Sequence, residues 1–166
     1  MQRLSIVMTI LLILFGTGSL RAQHASDILK PDMGAKIGVC PVCGMDVSEK
    51  MLTRVDVIHG DTTFHACALG CASALIAKHP YDEILVVDCD SIGMIPAMGA
   101  FYLFGSRIIP SRSMLPELSF GRNEAALRFQ KLYGGTVYHG KESFDVAAKI
   151  RQERMNEKKK DAGKKL

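Results

Sequence analysis

The chain has 166 residues, with 21 Lys and Arg against 17 Asp and Glu, which gives a formal net charge of +4. This length is enough for one domain or two very small ones. The basic residues of its body are scattered and do not alternate with aromatic residues, which argues against a nucleic-acid partner.

The first 22 residues have the three parts of a secretory signal. Arg3 supplies positive charge, an apolar run extends from Ile6 to Phe15, and a stretch of small residues leads to Ala22. The run is shorter than the about 20 residues that a membrane span needs, so we expect cleavage after Ala22 rather than a retained anchor. No cysteine closely follows the run to accept a lipid. We therefore expect a periplasmic or secreted protein, soluble after cleavage, with no lipid anchor and no later span.

Four cysteines form two close pairs further along the chain. Cys40 and Cys43 lie in Cys-Pro-Val-Cys-Gly-Met, which ends at Met45. Cys67 and Cys71 lie in Phe-His-Ala-Cys-Ala-Leu-Gly-Cys. Thiolate and thioether sulfurs are soft ligands that favour Cu(I) or Zn(II) over hard cations. The pattern predicts a protein that handles a soft metal ion.

The chain around the second cysteine pair predicts a small ββαβ unit. Alternating residues and a central polar turn predict a β-hairpin over 53–64. A helix is predicted over 66–78, and an apolar strand over 83–88.

The second half repeats this order of elements. Strands are predicted over 100–104 and 118–120, followed by a helix over 123–133 and a strand over 136–138. Each unit is too small to bury a large core alone, so we expect the two to pack together or to depend on metal or disulfide links. The predicted fold class is α+β, with two small ββαβ units packed in tandem.

These patterns divide the chain into five segments. They are a signal peptide (1–22), an N-terminal linker (23–37), a first ββαβ metal-binding unit with the cysteine knuckle (38–92), a second ββαβ unit (93–146) and a basic tail (147–166). The joint between the units is expected at 90–97. The tail is rich in charge and poor in apolar residues, which is typical of a disordered segment or of a fraying helix end.

The second cysteine pair has three interpretations. On one helix face, the Cβ atoms of Cys67 and Cys71 are about 5–6 Å apart, beyond the roughly 3.8 Å of a disulfide, so a bond between them is strained. They complete a zinc tetrad with Cys40 and Cys43 or cross-link to that pair, they join a copper site, or they remain buried and unligated. Cys89 ends an apolar strand and is expected to be a small buried residue.

One histidine is a further candidate ligand, and four methionines are not. His65, two residues before Cys67, is either a metal ligand or an ordinary histidine at a strand end. Four methionines show no ligand-like spacing and are expected to pack or to lie at the surface: Met33, Met51, Met94 and Met155.

The motifs argue against an enzyme. A Cys-x-x-Cys redox centre normally begins a helix, whereas here Gly44 and a polar stretch follow the second cysteine. Hydrolase elbows and phosphate-binding glycine loops do not occur in the sequence. We expect a non-enzyme, and a thiol–disulfide redox protein is the less favoured alternative.

Five segments together carry a family resemblance. They are Cys40-Pro-Val-Cys-Gly-Met45, Val86-Val-Asp88, Ala100-Phe-Tyr-Leu-Phe-Gly-Ser106, Glu124-Ala-Ala-Leu-Arg-Phe129 and Tyr133-Gly-Gly-Thr-Val137. The chain over 38–145 resembles the NosL family, which are exported Cu(I)-binding accessory proteins for nitrous oxide reductase with two ββαβ units. Its cysteine segments are also similar to YHS/TRASH heavy-metal knuckles. The resemblance implies delivery of Cu(I) to a periplasmic copper enzyme, nitrous oxide reductase, with a copper-supplying membrane protein as a further partner.

The same resemblance implies a ligand set. It assigns Cys43, Met45 and a methionine in the loop after the 100–104 strand, where Met114 is the matching residue. Met98, in Pro-Ala-Met-Gly, is locally similar to the family motif but precedes that strand. Two or three soft ligands leave one side open to an incoming donor, so Cu(I) can pass on by ligand exchange. A closed four-thiolate zinc cage has no such opening, and a zinc-stapled interaction module is the alternative function.

Overall fold

The computed structural model describes residues 37–108 and 117–163. In chain order its elements are a 3-10 segment (Val47–Thr53), β1 (Val55–His59), β2 (Thr62–Ala66), α1 (Leu69–Ile76), β3 (Glu83–Val87), β4 (Met94–Pro96), a 3-10 turn (Ala97–Gly99), β5 (Phe101–Phe104), β6 (Glu117–Phe120), α2 (Asn123–Tyr133), β7 (Thr136–His139) and α3 (Lys141–Gly163).

The strands form two antiparallel sheets, with the orders β2-β1-β3-β4 and β6-β5-β7. In each half the first strand lies in the middle, paired with the second strand on one side and the strand after the helix on the other. The predicted order of strand, strand, helix, strand is therefore present twice, and the α+β fold class is confirmed.

β5 joins the two halves because both of its faces are buried. Tyr102 and Phe104 lie in the core that also contains Val55, Val57 and other residues of the first sheet. Leu103 points into a second, smaller core. Alternation along a strand sends successive side chains to opposite faces, so one short strand serves both cores. The two units thus pack together, as their size requires.

Two elements of the first sheet and its helix differ from the sequence interpretation. The helix begins at Leu69 rather than at residue 66, because Ala66 still pairs with Val55 as the last residue of β2. The expected joint at 90–97 contains β4, which pairs with β3 and adds a fourth strand to the first sheet. Its three residues are too few to show a pattern of alternation in the sequence.

The chain from 147 to 163 is helical, which corrects the disordered tail predicted over 147–166. This helix, α3, packs against α1, and its residues Phe144 and Ala147 are buried. Once packing fixes the first turns, adding further helical residues costs little, and the Lys, Glu, Arg and Gln residues that follow are good helix formers. Composition alone does not reveal this anchor.

The predicted signal peptide and the linker up to residue 36 lie outside the described residues. Within the described part of the chain, no helix combines the length and apolar character needed to cross a membrane.

Candidate metal centre

The first cysteine pair lies on a tight backbone knuckle. The Cys40 amide donates to the Met45 carbonyl at 2.8 Å, and the Gly44 amide donates to the Cys40 carbonyl at 2.8 Å. Gly44 has a φ of +71°, a left-handed conformation that costs glycine little and other residues more. The knuckle therefore turns back on itself directly after Cys43.

The second pair straddles the start of α1. Cys67 lies in the bend between β2 and α1, where its carbonyl accepts a hydrogen bond from the Thr53 hydroxyl at 2.8 Å. Cys71 lies in the first turn of α1, and its amide donates to the Ala68 carbonyl at 3.0 Å. Because Cys67 precedes the helix, the predicted intrahelical spacing does not apply. The two sulfurs lie 3.8 Å apart.

All four sulfurs converge at one point. The Sγ atoms of Cys40, Cys43, Cys67 and Cys71 lie within 4.8 Å of one another. The Cys43 and Cys67 sulfurs are 3.4 Å apart. A tetrahedral ion with metal–sulfur bonds of about 2.3 Å places its sulfur ligands about 3.8 Å apart. The cluster can therefore surround a single soft metal ion after small side-chain adjustments.

Burial differs sharply within the cluster. Cys40, Cys67 and Cys71 are 1%, 5% and 7% exposed, whereas Cys43 is exposed. Three sulfurs thus form the floor of the site, and the Cys43 thiol forms its edge.

A residue of the second unit fixes the start of α1. The Leu69 amide donates to the Glu117 carboxyl Oε1, although Glu117 lies in β6 of the other sheet. The residue before the helix, Ala68, offers no side-chain cap. An acceptor at the amino end of a helix satisfies an amide that has no partner within the helix. The second unit therefore positions the turn that carries Cys71.

The thiols perturb one another. Hydrogen bonds with Cys67 and Cys71 lower the pKa of the Cys40 thiol far below its ordinary value of 9.0. The contact with Cys40 and burial raise the pKa of Cys67, and the contact with Cys40 raises the pKa of Cys71 to about 12. A metal ion binds the thiolate form, so an ion that enters the cluster displaces protons from the cysteines it binds.

A cavity of about 180 Å³ adjoins the cluster. Cys43, Cys67 and Cys71 line it, together with Met45 of the knuckle. Its other lining residues are Lys50, Ala68 and Gly70 of the first unit and Arg151, Arg154, Met155 and Lys158 of α3. Cationic side chains beside thiols favour the thiolate form, which is the form that binds metal.

We compared the chain with known proteins. No protein-family model matches it, and no curated protein sequence matches it. Among solved structures, it is similar to the copper chaperone NosL from Shewanella denitrificans, with a TM-score of 0.55 and 19% sequence identity, over 63% of this chain and 88% of that chain. The chain has the NosL fold. The predicted resemblance is thereby confirmed as a likeness of structure.

The NosL fold brings together most, but not all, of the predicted ligands. The four cysteines meet, and Met45 lines the adjoining cavity. Met114 lies outside the described residues. Met98 is 42% exposed in the turn before β5 and does not line the cavity.

His65 has a different partner in this fold. Its Nδ1 atom lies 2.7 Å from the carboxylate of Asp56, which also receives two hydrogen bonds from Arg54. The group of clustered ligand atoms found among the described residues contains the four cysteines and not His65. The structure therefore favours the interpretation of His65 as a histidine of a strand end.

Cys89 also lies apart from the cluster. It is half-buried, and burial raises the pKa of its thiol to about 12. A thiol of this kind remains protonated at neutral pH.

The residues that the sequence did not reveal come from α3. Met155 and three cationic residues reach the cavity from a segment expected to be disordered. A helical pattern was present in the sequence, since Arg151, Arg154, Met155 and Lys158 recur at spacings of three and four. Nothing in that pattern indicates the distant surface that it faces.

Proposed function

We propose that the protein binds Cu(I) at the four-cysteine cluster and transfers it by ligand exchange to a copper enzyme. The observation that carries this proposal is the combination of three buried sulfurs with one exposed thiol, Cys43, at a cavity that also contains the thioether of Met45. A site with a buried floor and an accessible edge can hold an ion and still admit a donor from another protein. The likeness to a protein described as a copper chaperone supports the same function.

The chemistry of the cluster suits a monovalent ion. Cu(I) is a soft ion that binds thiolate and thioether sulfur. It needs only two or three such ligands, so not all four thiols have to lose their protons. Neutral thioethers such as Met45 add donor atoms without adding negative charge.

Zinc is the second candidate, and a specific observation favours it. The sulfur separations of 3.4 and 3.8 Å are close to those of a tetrahedral four-sulfur site. A zinc ion held by all four cysteines would link the knuckle to α1 and stabilise the first unit. In that case the protein is a zinc-stapled interaction module.

The proposal includes a site of action and two partners. We propose that the protein acts in the periplasm after export, that nitrous oxide reductase is the recipient, and that a copper-supplying membrane protein is the donor. The sequence resemblance supports these partners. A direct test is anaerobic incubation of the Cu(I)-loaded protein with metal-free nitrous oxide reductase, followed by separation and copper counting on each protein.

The ion itself is tested by loading the reduced protein separately with Cu(I) and with Zn(II) under anaerobic conditions. The variants are Cys43→Ser, Met45→Leu and Met114→Leu, with Met98→Leu as a control that changes an exposed methionine away from the cavity. We expect one Cu(I) per chain, bound more weakly after each of the first three changes and unchanged in the control. Retention of zinc in both Met45→Leu and Met114→Leu, with no binding of Cu(I), would establish the zinc module instead.

A further inference from the structure

One face of α3 forms a wall of the cavity beside the cysteine cluster. Arg151, Arg154, Met155 and Lys158 all line this cavity. Their spacing of three and four residues places them on a single face of the helix. α3 therefore contributes to the surroundings of the cluster, although it lies about 80 residues beyond Cys71 in the chain.

Close packing fixes the position of this wall. A Cβ atom at Gly70 would lie 3.1 Å from the Ala147 carbonyl oxygen and 3.2 Å from the Cβ of Arg151. Gly70 directly precedes Cys71, so this close contact between α1 and α3 is next to a cluster cysteine. α3 cannot move away without losing this contact. The side chains one turn further along α3 are thus held over the cavity.

Met155 is the soft donor of the wall. It is 38% exposed and shares the cavity with Met45 and with the exposed thiol of Cys43. The cavity thus has a thioether from the knuckle and a second one from α3. A thioether has no proton to lose, so it can bind Cu(I) without being deprotonated.

The cationic residues beside Met155 affect how Cu(I) can pass through the cavity. The guanidinium groups of Arg151 and Arg154 favour thiolates at the cluster, but they also repel a free cation that approaches through the cavity. An ion that passes them needs a ligand at this wall to replace the donors it leaves behind. Among the α3 residues that line the cavity, Met155 is the one that can supply this ligand.

We infer that Met155 is a transfer ligand for Cu(I) at the mouth of the cavity. During release, a lone pair of the Met155 sulfur forms a bond to the ion while the bond to the Cys43 sulfur breaks. One copper–sulfur bond replaces another and the copper remains Cu(I), so no electron is exchanged. Loading follows the reverse order. This inference rests on the proposed function, because it requires that the cysteine cluster binds Cu(I).

The test measures how fast Cu(I) leaves the full chain. Reduced protein carrying one equivalent of Cu(I) is mixed anaerobically with bathocuproine disulfonate, and the coloured chelate is followed by stopped flow. The variants are Met155→Leu and Met155→His, and Met98→Leu is the control because Met98 is 42% exposed, much like Met155. Leucine keeps the apolar volume and removes the sulfur, whereas histidine loses that shape and restores a donor for copper.

We expect Met155→Leu to release Cu(I) about tenfold more slowly than the unaltered chain, which is the lower end of the loss seen when a metal-site partner is removed. Met155→His should regain much of the rate, and Met98→Leu should match the unaltered chain. The number of Cu(I) ions bound per chain should stay the same in all variants. A residue that merely packs over the cavity would give the opposite order, with leucine tolerated and histidine not.

Each other result overturns the inference in a recognisable way. If the chain binds Cu(I) and Met155→Leu releases it at the rate of the control, Met155 is not a transfer ligand. If Met155→Leu releases it faster, the Met155 sulfur holds the ion in its resting site and does not assist release. If the unaltered chain binds no Cu(I) at all, the proposed function fails first, and this inference fails with it.

Discussion

The buried carboxyl of Glu117 makes the stability of this protein depend on pH. Glu117 is 4% exposed, and its Oε2 atom has no hydrogen-bond partner among the described residues. Burial raises the pKa of Glu117 from 4.5 to about 7, although the hydrogen bond from the Leu69 amide acts in the opposite direction. The folded protein therefore holds the proton more tightly than the unfolded chain does.

The sign and size of the effect follow from this difference. Below pH 4.5 the carboxyl is protonated in both states, and the folded state is not penalised. As the pH rises from 4.5 to about 7, the unfolded chain releases the proton first, so the free energy of unfolding falls. The difference between 4.5 and about 7, at about 1.4 kcal/mol per pH unit, amounts to about 3 kcal/mol.

The substitution Glu117→Gln isolates this contribution. Glutamine keeps a carbonyl oxygen for the Leu69 amide and does not ionise. We expect the free energy of unfolding of the variant, relative to the unaltered chain, to improve by about 3 kcal/mol between pH 4.5 and pH 8. Urea unfolding of the reduced, metal-free protein, followed by circular dichroism across this pH range, measures the difference.

Glu124→Gln is the matched control for this experiment, because Glu124 is an exposed carboxyl in the first turn of α2. We expect the difference in free energy of unfolding between Glu124→Gln and the unaltered chain to stay nearly constant across this pH range. If that difference is also constant with pH for Glu117→Gln, the Glu117 carboxyl is not held in its neutral form by burial, and the reasoning is refuted.

Three further changes test other parts of the structure. Gly135→Ala should lower the free energy of unfolding by at least about 2 kcal/mol in urea, because Gly135 has a φ of +99° and an added Cβ would lie 2.5 Å from the Phe104 carbonyl oxygen. Tyr102→Phe should lower it by about 1–3 kcal/mol, since the buried Tyr102 hydroxyl donates to the Ala97 carbonyl at 2.8 Å. His65→Gln should leave the number of bound metal ions unchanged, because His65 is not part of the cysteine cluster.

A specific result would contradict each of these three predictions. Unchanged unfolding of Gly135→Ala would mean that the strand end at Phe104 can move aside. Unchanged unfolding of Tyr102→Phe would mean that the buried hydroxyl contributes no net stability. Loss of metal in His65→Gln would restore His65 as a ligand.

Much of the fold was predictable because it depends on local patterns. Alternation predicted β1 and β2, and the helix predicted over 123–133 coincides with α2. α1 begins three residues later than the sequence predicts, because pairing with β1 extends β2 through Ala66. The local helical pattern predicts a helix from residue 66. Strand pairing joins residues distant in the sequence, and here it outweighs that local preference.

The sequence by itself determined that this chain carries soft ligand types in a close group, since cysteine and methionine keep their sulfur chemistry wherever the chain places them. Only the tertiary structure decided which of those sulfurs meet, and that Glu117 of the second unit holds the turn bearing Cys71. Only the structure, too, brought Met155 to the cavity, on a helix that the composition predicted to be disordered. The physical reason is that ligand type is a property of single residues, whereas distance, burial and charge around a metal ion are set by packing between segments far apart in the chain.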